Sequence, residues 1–167
     1  MERFVREEPA RFVAGVVDGV AIAPLASHGD ARGWLVELYR RDELAAEVMP
    51  VMVYVSQTEP GATRGPHEHR EQTDVFAFLG DGRWRLYLWD VRAGSPTWGR
   101  RQRIDVEMGE RLRVVVPPGV VHAYQNVGPR PAWIFNAANR LYAGEDRASA
   151  VDEIRHEGRT ESPYALD

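Results

Sequence analysis

Three histidines and one aspartate have the types and spacing that could do chemistry in this sequence. His67 and His69 stand two residues apart in Gly61-Ala62-Thr63-Arg64-Gly65-Pro66-His67-Glu68-His69-Arg70-Glu71-Gln72-Thr73-Asp74. In an extended chain, residues at that spacing face the same side. Asp74 opens the next apolar stretch and could return to that face. His122 follows much later, in Pro117-Pro118-Gly119-Val120-Val121-His122-Ala123-Tyr124-Gln125-Asn126. If two hairpins of one barrel bring these segments together, three imidazoles and a carboxylate converge. Such N/O donors suit Fe(II), Mn(II), Ni(II), Cu(II) or Zn(II) and do not select among them. The same imidazoles could instead move protons near neutral pH, or simply line a polar cavity. His28 and His156 have no partners in view and read as structural.

The elements that must position these residues read as strands. Val13 to Ala23 holds two short apolar stretches around Asp18-Gly19, which predicts a hairpin. Asp30-Ala31-Arg32-Gly33 reads as a turn, Trp34 to Tyr39 and Val51 to Ser56 as strands. Val75 to Leu79 and Arg83 to Trp89 are strand-like around Gly80-Asp81-Gly82, and Arg103 to Val106, Leu112 to Val116, Val120 to Tyr124 and Trp133 to Asn136 continue the series. Regular strand spacing with turn residues between predicts a sandwich or barrel. Two short helices are expected outside it, over Asp42 to Val48 with Asp42 as cap, and over Ala148 to Arg155. No linker or repeat divides the chain, so one domain is expected over 1–167, with the barrel over about 13–142 and a charged extension over 143–167.

Composition removes several classes of function. The chain of 167 residues is 44% hydrophobic and 28% charged, which suits one folded core. Its net charge of −4 offers no basic footprint for nucleic acid. There is no cysteine, so disulfides, thiolate sites and Cys nucleophiles are out. There is no lysine either, so Schiff-base chemistry has no side-chain amine. The start, Met1-Glu2-Arg3-Phe4-Val5-Arg6-Glu7-Glu8, lacks the apolar run of a signal peptide, and no stretch is apolar for long enough to span a membrane. A cytoplasmic protein is expected. Trp84, Tyr87, Trp89 and Trp133 read as core or dimer interface rather than as base-stacking platforms.

The two histidine segments resemble the paired cupin motifs GxxxxxHxHxxxxE and PxGxxHxxxN. Pro117, Gly119, His122 and Asn126 match the second. Gly61, His67 and His69 match the first, with Asp74 where glutamate is usual. The fold this resemblance implies is all-β, a cupin double-stranded β-helix or jelly-roll barrel with short peripheral helices. A longer resemblance, from about Gly19 to Tyr142, points to the dTDP-4-dehydrorhamnose 3,5-epimerase family. Asp30 to Glu37, Ser56-Gln57, Arg64-Gly65 before a histidine, Trp89 to Gly99 with its Ser95-Pro96-Thr97, Val116 to His122, and Tyr142 carry it.

That resemblance implies a homodimeric isomerase acting on a dTDP-linked 4-keto-6-deoxy sugar, which abstracts a proton beside the carbonyl and returns it from the opposite face. It places His67 at the general base and Tyr142 at the general acid. It places Arg32, Glu37, Gln57 and Arg64 at contacts to the nucleotide, its phosphates or the sugar; arginine's planar fork suits a pyrophosphate. The family's Arg-Gly-Leu-His-x-Gln stands here as Arg64-Gly65-Pro66-His67-Glu68-His69, and the lysine that stabilises the enolate aligns with Asp74. Asp152 is the candidate for the aspartate that orients the base. Four readings follow: an epimerase in which a metal on His67, His69, Asp74 and His122 replaces the lysine; a sugar 3,4-ketoisomerase-like enzyme in which His67 and His69 move protons without metal; a metal-dependent cupin of other chemistry; or a sugar-binding cupin without catalysis.

Overall fold

The computed structural model describes residues 4–80 and 82–167. Met1 to Arg3 and Asp81, which the readings of the N-terminus and of the Gly80-Asp81-Gly82 turn included, lie outside the described residues. Strands follow one another as β1 Val13–Ala14, β2 Ala21–Pro24, β3 Ser27–Asp30, β4 Gly33–Val36, β5 Met52–Thr58, β6 Thr63–His69 and β7 Asp74–Phe78. The second half adds β8 Trp84–Asp90, β9 Arg100–Val106, β10 Leu112–Val116, β11 Val120–Asn126, β12 Ala132–Ala138 and β13 Glu153–Arg155. One sheet runs β1-β9-β8-β11-β6-β13 and the other β2-β10-β7-β12-β5, while β3 and β4 form a separate hairpin. The two larger sheets close on one core as the cupin jelly roll. Among the described residues, no helix is long and apolar enough to cross a membrane.

Strand alternation decides what each sheet turns inward. On β8, Trp84, Leu86 and Leu88 join Phe76, Phe78, Val114 and Ile134 in the inner core, whereas Tyr87 and Trp89 face outward and are covered by Tyr164. Trp84, Tyr87 and Trp89 are buried; Trp133 is 59% exposed on the outer face of its sheet. The interior is apolar around Trp84 and turns polar toward the end where β6, β7 and β11 place His67, Asp74 and His122.

Three local expectations are corrected. Asp18-Gly19 does turn, with Gly19 at φ +77°, but the flanking strands do not form a hairpin. β1 pairs in parallel with β9 and β2 antiparallel with β10, in different sheets, because longer strands offer better partners than two short segments offer each other. The stretch from Asp42 to Val48 makes only a 3₁₀ turn at Ala46–Val48 with Ala45 at its cap, and the Asp42 carboxylate is taken by Arg40 at 2.7 Å. Ala148 to Arg155 is not helical: Ala148 closes the 3₁₀ turn at Glu145–Arg147 and the end of the stretch becomes β13. An isolated two-turn helix is marginal in water, while the open edge of β6 offers unpaired peptide groups; Glu153, Ile154 and Arg155 take them opposite His69, Glu68 and His67.

A polar latch behind β6 fixes that added strand. Glu68 points away from the histidines and is fully buried. Its Oε1 accepts from Arg6 Nε at 2.7 Å and lies 2.9 Å from His156 Nε2, so His156 is structural. Arg6 and Arg159 also grip Glu8, which accepts from the Tyr164 hydroxyl at 2.8 Å. The latch therefore ties both terminal segments to the strand that carries the site. Arg159, together with Arg6 and Tyr164 and against the effect of burial, holds the Glu8 carboxyl down at about 2. A carboxyl depressed in the folded state stabilises above its unfolded value near 4.5 and loses that contribution as pH falls toward about 2. Thermal melts from pH 6 to pH 2 should show the gap between wild type and Glu8→Gln closing across that window; a constant gap would contradict this role.

Candidate active site

β6 and β11 run antiparallel with His67 opposite His122. Gly65 permits their close approach: its φ is +86°, and a Cβ there would stand 2.5 Å from the His122 carbonyl oxygen. The ring centroids of His67 and His122 are 4.4 Å apart, those of His67 and His69 5.7 Å and those of His69 and His122 6.0 Å. One ligating nitrogen from each of the three lies within 4.8 Å of the others. Asp74 arrives from the facing sheet as the first residue of β7, on the inward phase it shares with Phe76, and both Asp74 and His122 are buried.

Each ring is fixed from behind. His69 Nδ1 sits 2.9 Å from the Asp152 carbonyl and His122 Nδ1 3.0 Å from the Val120 carbonyl, so both Nδ1 atoms carry the hydrogen and both Nε2 atoms present lone pairs. Asp74 Oδ1 accepts from Gln72 Nε2 and Asn136 Nδ2, each at 2.8 Å. That orients the Gln72 amide, whose nitrogen also lies 3.2 Å from His69 Nε2. Asp74 Oδ2 is left 3.1 Å from His69 Nε2 and 3.4 Å from His122 Nε2. Among the described residues, Asp74 Oδ2, His122 Nε2 and His67 Nδ1 are buried without a hydrogen-bond partner. Buried lone pairs facing one another favour a positive charge between them, a proton or a metal ion.

The titration directions agree with that preference. Burial pulls the His69 imidazole down, but the Asp74 carboxylate and the Asp152 carbonyl outweigh it and the net direction is up. Burial would raise Asp74; the facing His122 and His69 overcome it and hold the carboxyl well below its ordinary range. Burial, reinforced by His122 and His69, holds His67 well below the usual imidazole value, so His67 is neutral at pH 7. The residues also fit a divalent ion. Bonds of about 2.0–2.2 Å at tetrahedral or octahedral angles put neighbouring donors roughly 3.0–3.5 Å apart, the separations seen around Asp74 Oδ2. His67, His69 and His122 form one candidate donor group, with the Asp74 carboxylate against two of them.

His67, His69 and Gln72 line a cleft of about 530 Å³, whose walls include Tyr54, Arg64, Tyr142 and Arg147. A model of the family described as dTDP-4-dehydrorhamnose 3,5-epimerase matches residues 15–154. The chain belongs to that epimerase family. It is 32% identical over 131 residues to the probable low-salt glycan biosynthesis epimerase Agl13 of Haloferax volcanii, covering 78% of this chain and 83% of that one. It is 31% identical over 127 residues to the spore coat polysaccharide biosynthesis protein SpsL of Bacillus subtilis, covering 76% and 83%. Among solved structures it superposes on a dTDP sugar isomerase of Desulfovibrio desulfuricans with a TM-score of 0.74 at 21% identity, over 90% of this chain and 94% of that one. The 3'-monoepimerase ChmJ of Streptomyces bikiniensis, in complex with dTDP-quinovose, gives 0.71 at 22%, over 85% and 71%.

As an epimerase-type isomerase, the chain brings only some of its expected site residues together. His67, His69, Arg64 and Tyr142 line the cleft; Asp74 and His122 are buried beside His69. Arg32, Glu37 and Gln57 do not reach it. Arg32 sits on the β3–β4 turn with its side chain 89% exposed, paired to Asp30. Glu37 lies on the surface beside Arg40 at 3.3 Å. Gln57 falls on the outward phase of β5, where Trp133 Nε1 donates to its Oε1 at 2.7 Å. Asp152 is not the aspartate behind His67: its carboxylate accepts from the backbone N–H of Arg70, Glu71 and Gln72 at 3.1, 2.9 and 2.8 Å, and its carbonyl holds His69. The carboxylates nearest His67 Nδ1 are Glu157 and Glu153, at 3.9 and 4.0 Å. Sequence reasoning missed Glu153 because it read Ala148 to Arg155 as helical, although His67 and His69 have the same phase in β6 as Glu153 has in the strand beside them; Glu157, beyond that stretch, had no signal.

Asp152→Ala leaves three backbone donors and a ligand-bearing loop without their acceptor, and should cost about 1–3 kcal/mol in urea unfolding. Asp152→Asn, which keeps one acceptor oxygen, should fall between the two; an unmoved midpoint in the alanine variant would contradict the assignment.

Proposed function

We propose that this enzyme moves a proton at a carbon beside the carbonyl of a dTDP-linked 4-keto-6-deoxy sugar, inverting that carbon. The observation that carries the reading is a neutral His67 on the cleft wall beside the packed His69–Asp74–His122 group, in a chain of this family without lysine. The solved relative ChmJ was captured with a dTDP sugar, and the Haloferax relative is named as an epimerase.

His67 takes the proton from the carbon, and the C–H electron pair moves toward the carbonyl oxygen as an enolate forms. Tyr142 gives a proton to the opposite face of the same carbon and regains one from solvent, while His67 releases the proton it took to solvent, both side chains lining the cleft. Arg64 lines the same cleft and offers its guanidinium to the phosphates. A bare Asp74 carboxylate beside a developing enolate would repel it. A divalent ion held by His69, His122 and Asp74 would supply there the positive charge that lysine supplies elsewhere in the family.

The same reading makes the protein a cytoplasmic homodimer folded as one unit. Its supports are the exposed Val53, Val55 and Trp133 on the outer face of the β5–β12 edge and Trp34 and Leu35 on the hairpin, apolar side chains that a second copy would cover. Such a copy could also carry Arg32 and Glu37 toward its neighbour's cleft. The ketoisomerase reading keeps one favourable observation, the shared face of His67 and His69.

Incubation with dTDP-4-keto-6-deoxyglucose in deuterated water decides between these. Deuterium should enter C3 or C5, stop when the protein is stripped with chelator, and return with added divalent ion. His67→Gln should lower the exchange rate by about 10²–10⁴-fold. Exchange at C3 with the keto group moved to C3 would replace epimerisation by ketoisomerisation. Full exchange after stripping would put a proton, not a metal, between the three groups, and no exchange under any condition would overturn the proposal.

A further inference from the structure

Three non-glycine residues among those described have left-handed backbone, Ala143 at φ +57°, Asp146 at +50° and Arg147 at +58°. All three fall in one five-residue stretch, with Gly144 at +72° among them. L-side chains rarely adopt this conformation, and clusters of it persist where surrounding structure enforces them for a purpose. Here the backbone enforces it: Gly144 N donates to the Leu141 carbonyl at 3.0 Å, Ala148 N to that of Glu145 at 3.0 Å and Ser149 N to that of Ala143 at 2.7 Å. The outcome is that Ala143 and Arg147 line the histidine cleft beside Tyr142.

The charges of that cleft show what Arg147 is free to do. Asp152 is spent on three backbone donors. Glu153 holds Arg155 at 2.6 Å, and Glu157 lies nearest His67. Arg64 donates to the Thr58 hydroxyl at 3.1 Å and to the Gln57 carbonyl at 2.7 Å, both neutral. Among the described residues, neither Arg64 nor Arg147 has a carboxylate within ion-pairing distance, so the cleft carries two uncompensated guanidinium groups, one from β6 and one from the strained turn. Two such forks suit an anion with two phosphoryl groups.

We propose that Arg147 grips the diphosphate of the nucleotide sugar together with Arg64, and that the left-handed turn at 143–147 serves to aim it. This rests on the nucleotide-sugar reading above.

Calorimetric titration of the full chain with dTDP, and separately with thymidine, tests this. Wild type should bind dTDP, and Arg147→Gly and Arg147→Ala should weaken that binding at least about tenfold with thymidine affinity unchanged, as for loss of a charge-assisted contact. Arg147→Lys should lie between. Arg147→Gly should melt no lower than wild type, because glycine takes the left-handed conformation without strain, so its loss of affinity is not unfolding. Wild-type affinity for dTDP in Arg147→Gly overturns the inference while leaving the substrate class standing; the same holds if Arg32→Ala weakens binding in its place. Failure of the wild type to bind dTDP removes both.

Discussion

A carboxylate buried where two imidazole lone pairs meet it is the constraint around which this protein is organised. Asp74 is closed off from water, tied through one oxygen to Gln72 and Asn136, and through the other aimed at His69 and His122. Ionised and uncompensated, such a group would cost several kcal/mol. The surrounding residues make compensation specific rather than general. Both histidines have their remote nitrogens committed to backbone carbonyls, so their near nitrogens and the free oxygen turn toward one point.

Other features of the barrel follow from holding that geometry. Gly65 lets β6 and β11 come close enough for His67 and His122 to touch, and the inward phase of β7 places Asp74 across from them. On the far side of β6, Glu68 anchors Arg6 and His156, which binds the terminal segments to the strand between its two histidines. Through β13 the same latch delivers the Asp152 carbonyl to His69 and a pair of glutamates toward His67. Polarity is thus split across one strand. Its inner face carries the clustered imidazoles and its outer face the ionic network that keeps them in register.

The strands, the barrel and the meeting of His67, His69 and His122 were legible in the sequence because period-two alternation fixes which side chains share a face. The His-x-His spacing and the Pro-x-Gly-x-x-His stretch are local signals of that kind. Which nitrogens of His69 and His122 face Asp74 was not legible, since it depends on which nitrogen each backbone carbonyl engages. Nor was β13, whose residues favour a helix locally and become a strand only because the edge of β6 is open. The hairpin around Asp18-Gly19 failed for a related reason: the turn is local, but the pairing of its flanks belongs to other sheets. Arg32, Glu37 and Gln57 carry the family pattern, yet their placement on a surface hairpin and an outward strand face is tertiary information. Arg147 had no signal, as left-handed backbone at a non-glycine residue is not visible in residue types.

The most direct test of the central claim is equilibrium dialysis of the chelator-stripped full chain against Zn(II) or Co(II). About one ion per chain should be retained, lost alike in Asp74→Ala and His122→Ala and kept in His67→Gln. Stoichiometric binding that survives Asp74→Ala, or that disappears with His67→Gln, would contradict a site built from His69, His122 and Asp74 with His67 left free to move protons.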